Sequence, residues 1–76
     1  MQPQVNEIWG HYKTKGDYLI INLATMQVKV ETLDMQPCVI YKALSDETIW
    51  VRPLVDFIEL VNGEDGVQVR RFSKAG

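Results

Sequence analysis

CVIYKALSDETIWVRPL, residues Cys38 to Leu54, reads as two strands joined by a turn. In the first run Val39, Tyr41 and Ala43 fall on one face and Ile40 and Leu44 on the other, with Lys42 at an edge or tip. That period of two is what a half-buried strand requires. Ser45 to Thr48 supplies turn-forming side chains, IWVR is the next strand, and Pro53 ends it because proline has no N–H to give to a ladder.

Working outward, the same alternation recurs on both sides. Toward the N-terminus, Tyr18 to Leu23 is a near-continuous apolar run that suits a strand, and Gly16-Asp17 before it reads as a turn. A first strand is expected across Ile8 to Lys13, with a hairpin into the second. MQVKVET keeps the period through Val28 and Val30, either extending that second strand or supplying a short return. Toward the C-terminus, LVDFIELV fits helical spacing at Leu54, Phe57, Ile58 and Val61; it is read as a short helical turn over residues 53–56 and a strand from Phe57. NGEDG is a hairpin loop, VQVRRF a last strand and SKAG a frayed tail.

Five or six short antiparallel strands with turns every 8 to 12 residues, and no long helix, make an all-β chain. At 76 residues it is one domain, residues 1–76, with a small barrel over about residues 5–72 and the tail over 73–76. Closure into a barrel removes exposed strand edges, the main hazard of so short a β-chain.

Composition narrows the chemistry. The hydrophobic fraction of 46% and charged fraction of 24% are those of an ordinary folded domain. A net charge of −2 opposes a broad footprint on a nucleic-acid backbone. Charge is nevertheless segregated: between Ser45 and Asp65 six carboxylates face the single Arg52 (Asp46, Glu47, Asp56, Glu59, Glu64 and Asp65), whereas Arg70, Arg71 and Lys74 close the chain. Cys38 is the only cysteine, so no internal disulfide forms, which points to a reducing cytoplasm. No apolar run approaches the length of a membrane span, and the N-terminus lacks the pattern of a signal peptide.

The order of these pieces resembles a small bacterial family, domain of unknown function 1653. Its members run as an HYKG-Y opening, a VVY-AL strand, a WVRP--F element and a closing V-RF. The matching residues are His11, Tyr12 and Lys13 with Gly16 and Tyr18; Val39 with Tyr41, Ala43 and Leu44; Trp50 to Pro53 with Phe57; and Val69 with Arg71 and Phe72. Two departures stand out. Thr14 and Lys15 intervene where the family passes directly from lysine to glycine, and MQVKVETLDMQP replaces a short loop. The resemblance implies a Src-homology-3-like (SH3-like) barrel and implies no activity.

His11 is the sole histidine, so no histidine-pair or histidine–cysteine metal cluster can be assembled, and no cofactor or metal ligand set is assigned. Cys38, opening an apolar strand, reads as a small buried hydrophobe. No acid–base pair, activated nucleophile or phosphate-cradling loop is visible, so no residue is assigned a catalytic role and the chain is read as non-enzymatic.

The aromatic side chains are the better candidates. Trp50 and Phe57 are read first as core; Trp9, Tyr12 and Tyr41 divide between core and a recognition groove. Arg52, two residues beyond Trp50, shares its strand face, and it either pairs with Asp56 or Glu59 or forms an anion site with Lys13 and Tyr41. The expected function is a cytoplasmic module that binds a protein through His11, Tyr12, Lys13, Tyr41, Trp50 and Arg52. A sensor of a small molecule or anion through Arg52 is the alternative. Third is an RNA-binding module that stacks bases and uses Arg70, Arg71 and Lys74. An open barrel edge would also allow two chains to pair as a homodimer.

Overall fold

The computed structural model describes residues 2–75. Its elements are β1 (Ile8–His11), β2 (Asp17–Thr25), β3 (Pro37–Ala43), β4 (Ile49–Pro53), the helical turn α1 (Leu54–Phe57), β5 (Leu60–Asn62), β6 (Gln68–Arg70) and β7 (Phe72–Lys74). The chain is all-β, as its alternation predicts. Five strands form one antiparallel sheet in the order β4-β3-β2-β1-β7, and β5 and β6 form a separate hairpin.

Among the described residues this sheet does not close into a barrel, contrary to expectation. α1 carries the chain off the end of β4, and β5 and β6 pair with each other, so β4 and β7 remain the two edges of the larger sheet. Arg71 joins the two sheets. Its N–H donates to the Glu59 carbonyl at 3.0 Å, and its own carbonyl accepts the Tyr12 N–H at 3.0 Å. The run VQVRRF, read as one strand, is therefore two: the chain leaves β5 and takes up β1 at that residue.

The core forms where the inward faces meet. Val39, Tyr41 and Ala43 of β3 are buried as their alternation requires, and Trp9, Ile20, Phe57 and Phe72 join them. Phe57 and Phe72 stack with centroids 4.1 Å apart and planes 4° from parallel, and Tyr41 meets each edge-on at 5.4 Å. Burying each such ring contributes roughly 1.5–3 kcal/mol, so these few side chains dominate the stability of a chain this short.

Several boundaries move. Phe57 lies on α1 rather than opening a strand, because Leu54, Phe57 and Ile58 turn together onto the core at helical spacing. β1 stops at His11, where the hairpin begins, and MQVKVET lies in the loop between β2 and β3. Ser73 and Lys74 of the expected tail pair with Gly10 and Trp9 in β7; Gly76 lies outside the described residues. The chain ahead of β1 is tied down as well, with Pro3 fully buried and the Asn6 N–H donating to the Ile20 carbonyl at 2.9 Å.

Candidate functional site

Where the inward face of β4 runs past the rim of the core, a cleft of about 200 Å³ opens. Its lining is His11, Thr14, Tyr18, Tyr41, Trp50, Arg52 and Phe72. Trp50 and Arg52 enter from β4 at positions opposite Tyr41 and Val39 of β3, which places them on the core face of the sheet. There is no further strand to cover them. Trp50, read first as a core ring, is 52% exposed because β4 is an edge.

Arg52 is held by rings rather than by an acid. Its Nε donates to the Tyr41 hydroxyl at 3.2 Å, and its guanidinium carbon lies 5.8 Å from the Phe72 ring centroid. Neither expected internal partner is taken. Glu59 pairs with Arg71 at 2.7 Å, and no acid lies within ion-pair distance of Arg52 among the described residues. The guanidinium thus keeps donors free on the cleft side.

His11 stands across from it, edge-on to Phe72 with centroids 4.9 Å apart. Its Nδ1 accepts the backbone N–H groups of Lys13 at 3.1 Å and Thr14 at 3.3 Å, which assigns the ring proton to Nε2. Burial holds the imidazole below its ordinary value of 6.5, and the nearby charges of Arg52, Arg71 and Lys13 act in the same direction. A neutral imidazole with a free Nε2–H is one more donor. The Tyr18 hydroxyl, 3.3 Å from the Thr14 hydroxyl, completes the rim.

Four of the six expected binding residues, His11, Tyr41, Trp50 and Arg52, meet in this cleft. The other two do not. Tyr12 faces a separate recess with Lys15, Gly63, Glu64, Asp65 and Val69, and Lys13 gives its backbone N–H to His11 and acts on that imidazole by its charge without lining the cleft. Thr14, Tyr18 and Phe72 were not expected. Thr14 belongs to the two-residue departure from the family pattern. Phe72 and Tyr18 come from strands whose mutual placement only the fold reveals.

The second expected cluster is largely occupied. Arg71 is paired with Glu59, and Lys74 reaches Glu7 at 3.1 Å. Arg70 lines a shallow recess with Trp9, Ser73 and Lys74. Cys38 is buried, and no group of three or more His, Cys, Asp or Glu side chains is gathered as a metal site would require, among the described residues. No helix among them is long and apolar enough to cross a membrane.

Fold and cleft together define a small open-sheet β-domain with an aromatic pocket of hydrogen-bond donors around one arginine. The chain belongs to the family described as protein of unknown function DUF1653, whose model matches residues 7–74. The match spans every strand and all seven cleft residues. No curated protein and no solved structure matches the chain.

Proposed function

We propose that the protein is a non-enzymatic interaction module whose cleft receives one carboxylate of a partner protein, from an acidic side chain or a C-terminus. The observation that carries this is Arg52, a guanidinium set between rings and facing an open cleft without an acid of its own. The side chains around it offer donors and hydroxyls, the one acceptor nitrogen, His11 Nδ1, being taken by two backbone N–H groups, and among the described residues no carboxylate or thiol lines the pocket. Such a lining attracts an anion, and with His11 Nδ1 occupied by backbone N–H groups the imidazole presents Nε2–H as a donor.

Size favours a presented group over a free ligand. Pockets that enclose whole small molecules run from about 300 to 1,000 Å³; this one, at about 200 Å³, suits a single side chain or chain end. The exposed ring of Trp50 at its mouth gives the rest of a partner an apolar surface, as aromatic anchors do at protein interfaces. The lone buried Cys38 suits a reducing compartment such as the cytoplasm.

The test is a titration of isotope-labelled protein with N-acetylglutamate and with its diamide, N-acetylglutamine amide, which carries no carboxylate. Saturable shifts of the Trp50 indole and Arg52 Nε signals with the first and not the second are expected, and Arg52→Met abolishes them. Equal responses to both, or none at millimolar concentration, would remove the carboxylate reading. A second reading, a sensor of a small free anion, draws on the same donors; inorganic phosphate binding more tightly than any peptide carboxylate would favour it.

A further inference from the structure

Among the described residues the outer edge of β4 is unpaired, and its first three side chains are apolar on both faces. Ile49, Trp50 and Val51 are 62%, 52% and 59% exposed in succession. Native sheets ordinarily protect such an edge with charge, proline or a covering element, because its free N–H and C=O groups recruit another strand. Here only Pro53 closes one end.

Which groups are free follows from the ladder. The Ala43 N–H donates to the Thr48 carbonyl at 2.9 Å, so Thr48 turns its backbone toward β3. By strict alternation Trp50 and Arg52 do the same, and Ile49, Val51 and Pro53 turn theirs outward. The outward N–H and C=O groups of Ile49 and Val51 are therefore the edge available to a partner.

We infer that this edge pairs antiparallel with β4 of a second copy, Ile49 of one chain opposite Val51 of the other. In that register each pair exchanges both of its N–H···O=C bonds, and every outward group of Ile49 and Val51 is satisfied. The neighbouring registers fail. One step in one direction puts Ile49 opposite Pro53, which has no N–H to donate. One step in the other puts Val51 opposite Glu47, which lies in the turn with φ at 61° and cannot continue a strand. Proline at one end and a left-handed residue at the other thus single out one pairing.

The side chains agree with that register. On the outer face each Ile49 covers a Val51. On the core face Trp50 meets Trp50 of the second copy at the two-fold axis, in a non-hydrogen-bonded pair, where cross-strand side chains approach most closely. Arg52, without an acid among the described residues of its own chain, comes opposite Thr48 of the second copy, beside that copy's acidic turn of Asp46 and Glu47. Charge complementarity of this kind favours a second copy over an arbitrary apolar strand. The pairing also brings the second copy's Trp50 to the mouth of the cleft, so that two clefts sit back to back about a pair of tryptophans.

The full chain tests this directly. Light scattering over a concentration series should show the mass rising from 8.7 kDa toward twice that value. Val51→Pro removes an outward N–H and leaves the β3 ladder intact, so it should weaken dimerisation about tenfold or more, equivalent to one or two lost hydrogen bonds. Ile49→Lys should weaken it too, and serves if the proline variant does not fold by circular dichroism. Register is read by oxidation: Trp50→Cys should cross-link to itself, whereas Ile49→Cys should cross-link only when mixed with Val51→Cys. A mass that stays at 8.7 kDa to millimolar concentration overturns the proposal. So does a dimer indifferent to both edge variants, or Ile49→Cys linking to itself. A monomer whose Ile49 and Val51 amides shift with an extended peptide would assign the edge to that peptide instead.

Discussion

The five-stranded sheet ends in two edges that carry similar cations and treat them in opposite ways. At the β7 edge the chain supplies the counter-charges: Arg71 pairs with Glu59, and Lys74 with Glu7. Glu7 is itself held below the usual carboxylate range, first by the Gln4 N–H and then by Lys74 and Trp9. At the β4 edge Arg52 has a phenol and a ring face but no acid, and its neighbours Ile49, Trp50 and Val51 are apolar and exposed. At one edge two cations are answered within the chain, although the Arg71 Nε is buried without a hydrogen-bond partner. The other leaves its cation and its aromatic ring turned toward solvent, and that contrast is the ground for the site proposed at β4.

The largest expected effect reaches both edges at once. Phe72 opens β7, yet its ring stacks on Phe57 and lies beneath Arg52. Phe72→Ala should cost about 3–5 kcal/mol, typical of a buried ring truncated to a methyl. That is a large share of the stability of any small domain, so the variant should be partly unfolded near body temperature in urea and thermal melts. A loss below about 1 kcal/mol would mean that the stacked pair is not the centre of the core.

Next in size is Tyr41→Phe, which keeps the ring and removes the hydroxyl that accepts from Arg52. A loss of about 0.5–1.5 kcal/mol is expected for one hydrogen bond, together with weaker carboxylate binding as the guanidinium loses its orientation. Smaller again is Glu59→Gln at the opposite edge. Its ion pair is half exposed and screened by salt, so its removal should cost no more than about 1 kcal/mol and less at high ionic strength. Arg52→Met loses the same hydrogen bond as Tyr41→Phe and should cost about as much stability as that variant, yet abolish N-acetylglutamate binding. The reverse pattern, with Arg52 structural and Arg71 dispensable to both, would invert the comparison of the two edges.

How much of this was legible before folding depends on whether a residue's role is set locally. The faces of β3 follow from alternation alone, since Val39, Tyr41 and Ala43 repeat the period of the strand. Phe57 is different: Leu54, Phe57, Ile58 and Val61 satisfy a helical turn and a strand start equally, and only packing against Phe72 and Tyr41 selects the turn. The break at Arg71 leaves no trace in VQVRRF because both halves are strands; what changes is the partner strand, which is a property of topology. Arg52 shows the same limit in the site. Asp56 and Glu59 are near it in sequence, but the fold gives Glu59 to Arg71, and the unclaimed guanidinium emerges only from that competition.

The smallest effect gives the sharpest discrimination between the edges. His11 titrates below its ordinary 6.5 in the fold, first because it is desolvated and then because Arg52 and Arg71 lie near it. Between the folded value and 6.5 the unfolded chain binds more protons than the native one, so stability rises with pH there. The contribution of His11 is complete above about pH 6.5, is lost as pH falls through the folded value, and changes no further below it; His11→Gln should flatten that slope. Substitutions at the two edges then act on the same imidazole with opposite signs. Arg52→Met removes a positive neighbour and should move the His11 titration, followed by its ring proton resonances, upward. Glu59→Gln uncovers the charge of Arg71 and should move it downward. A carboxylate seated on Arg52 should raise it as Arg52→Met does, so that occupancy of the cleft is read from the same resonance. If the ligand left the titration unmoved while Glu59→Gln shifted it, the bound anion would lie elsewhere than between Arg52 and His11.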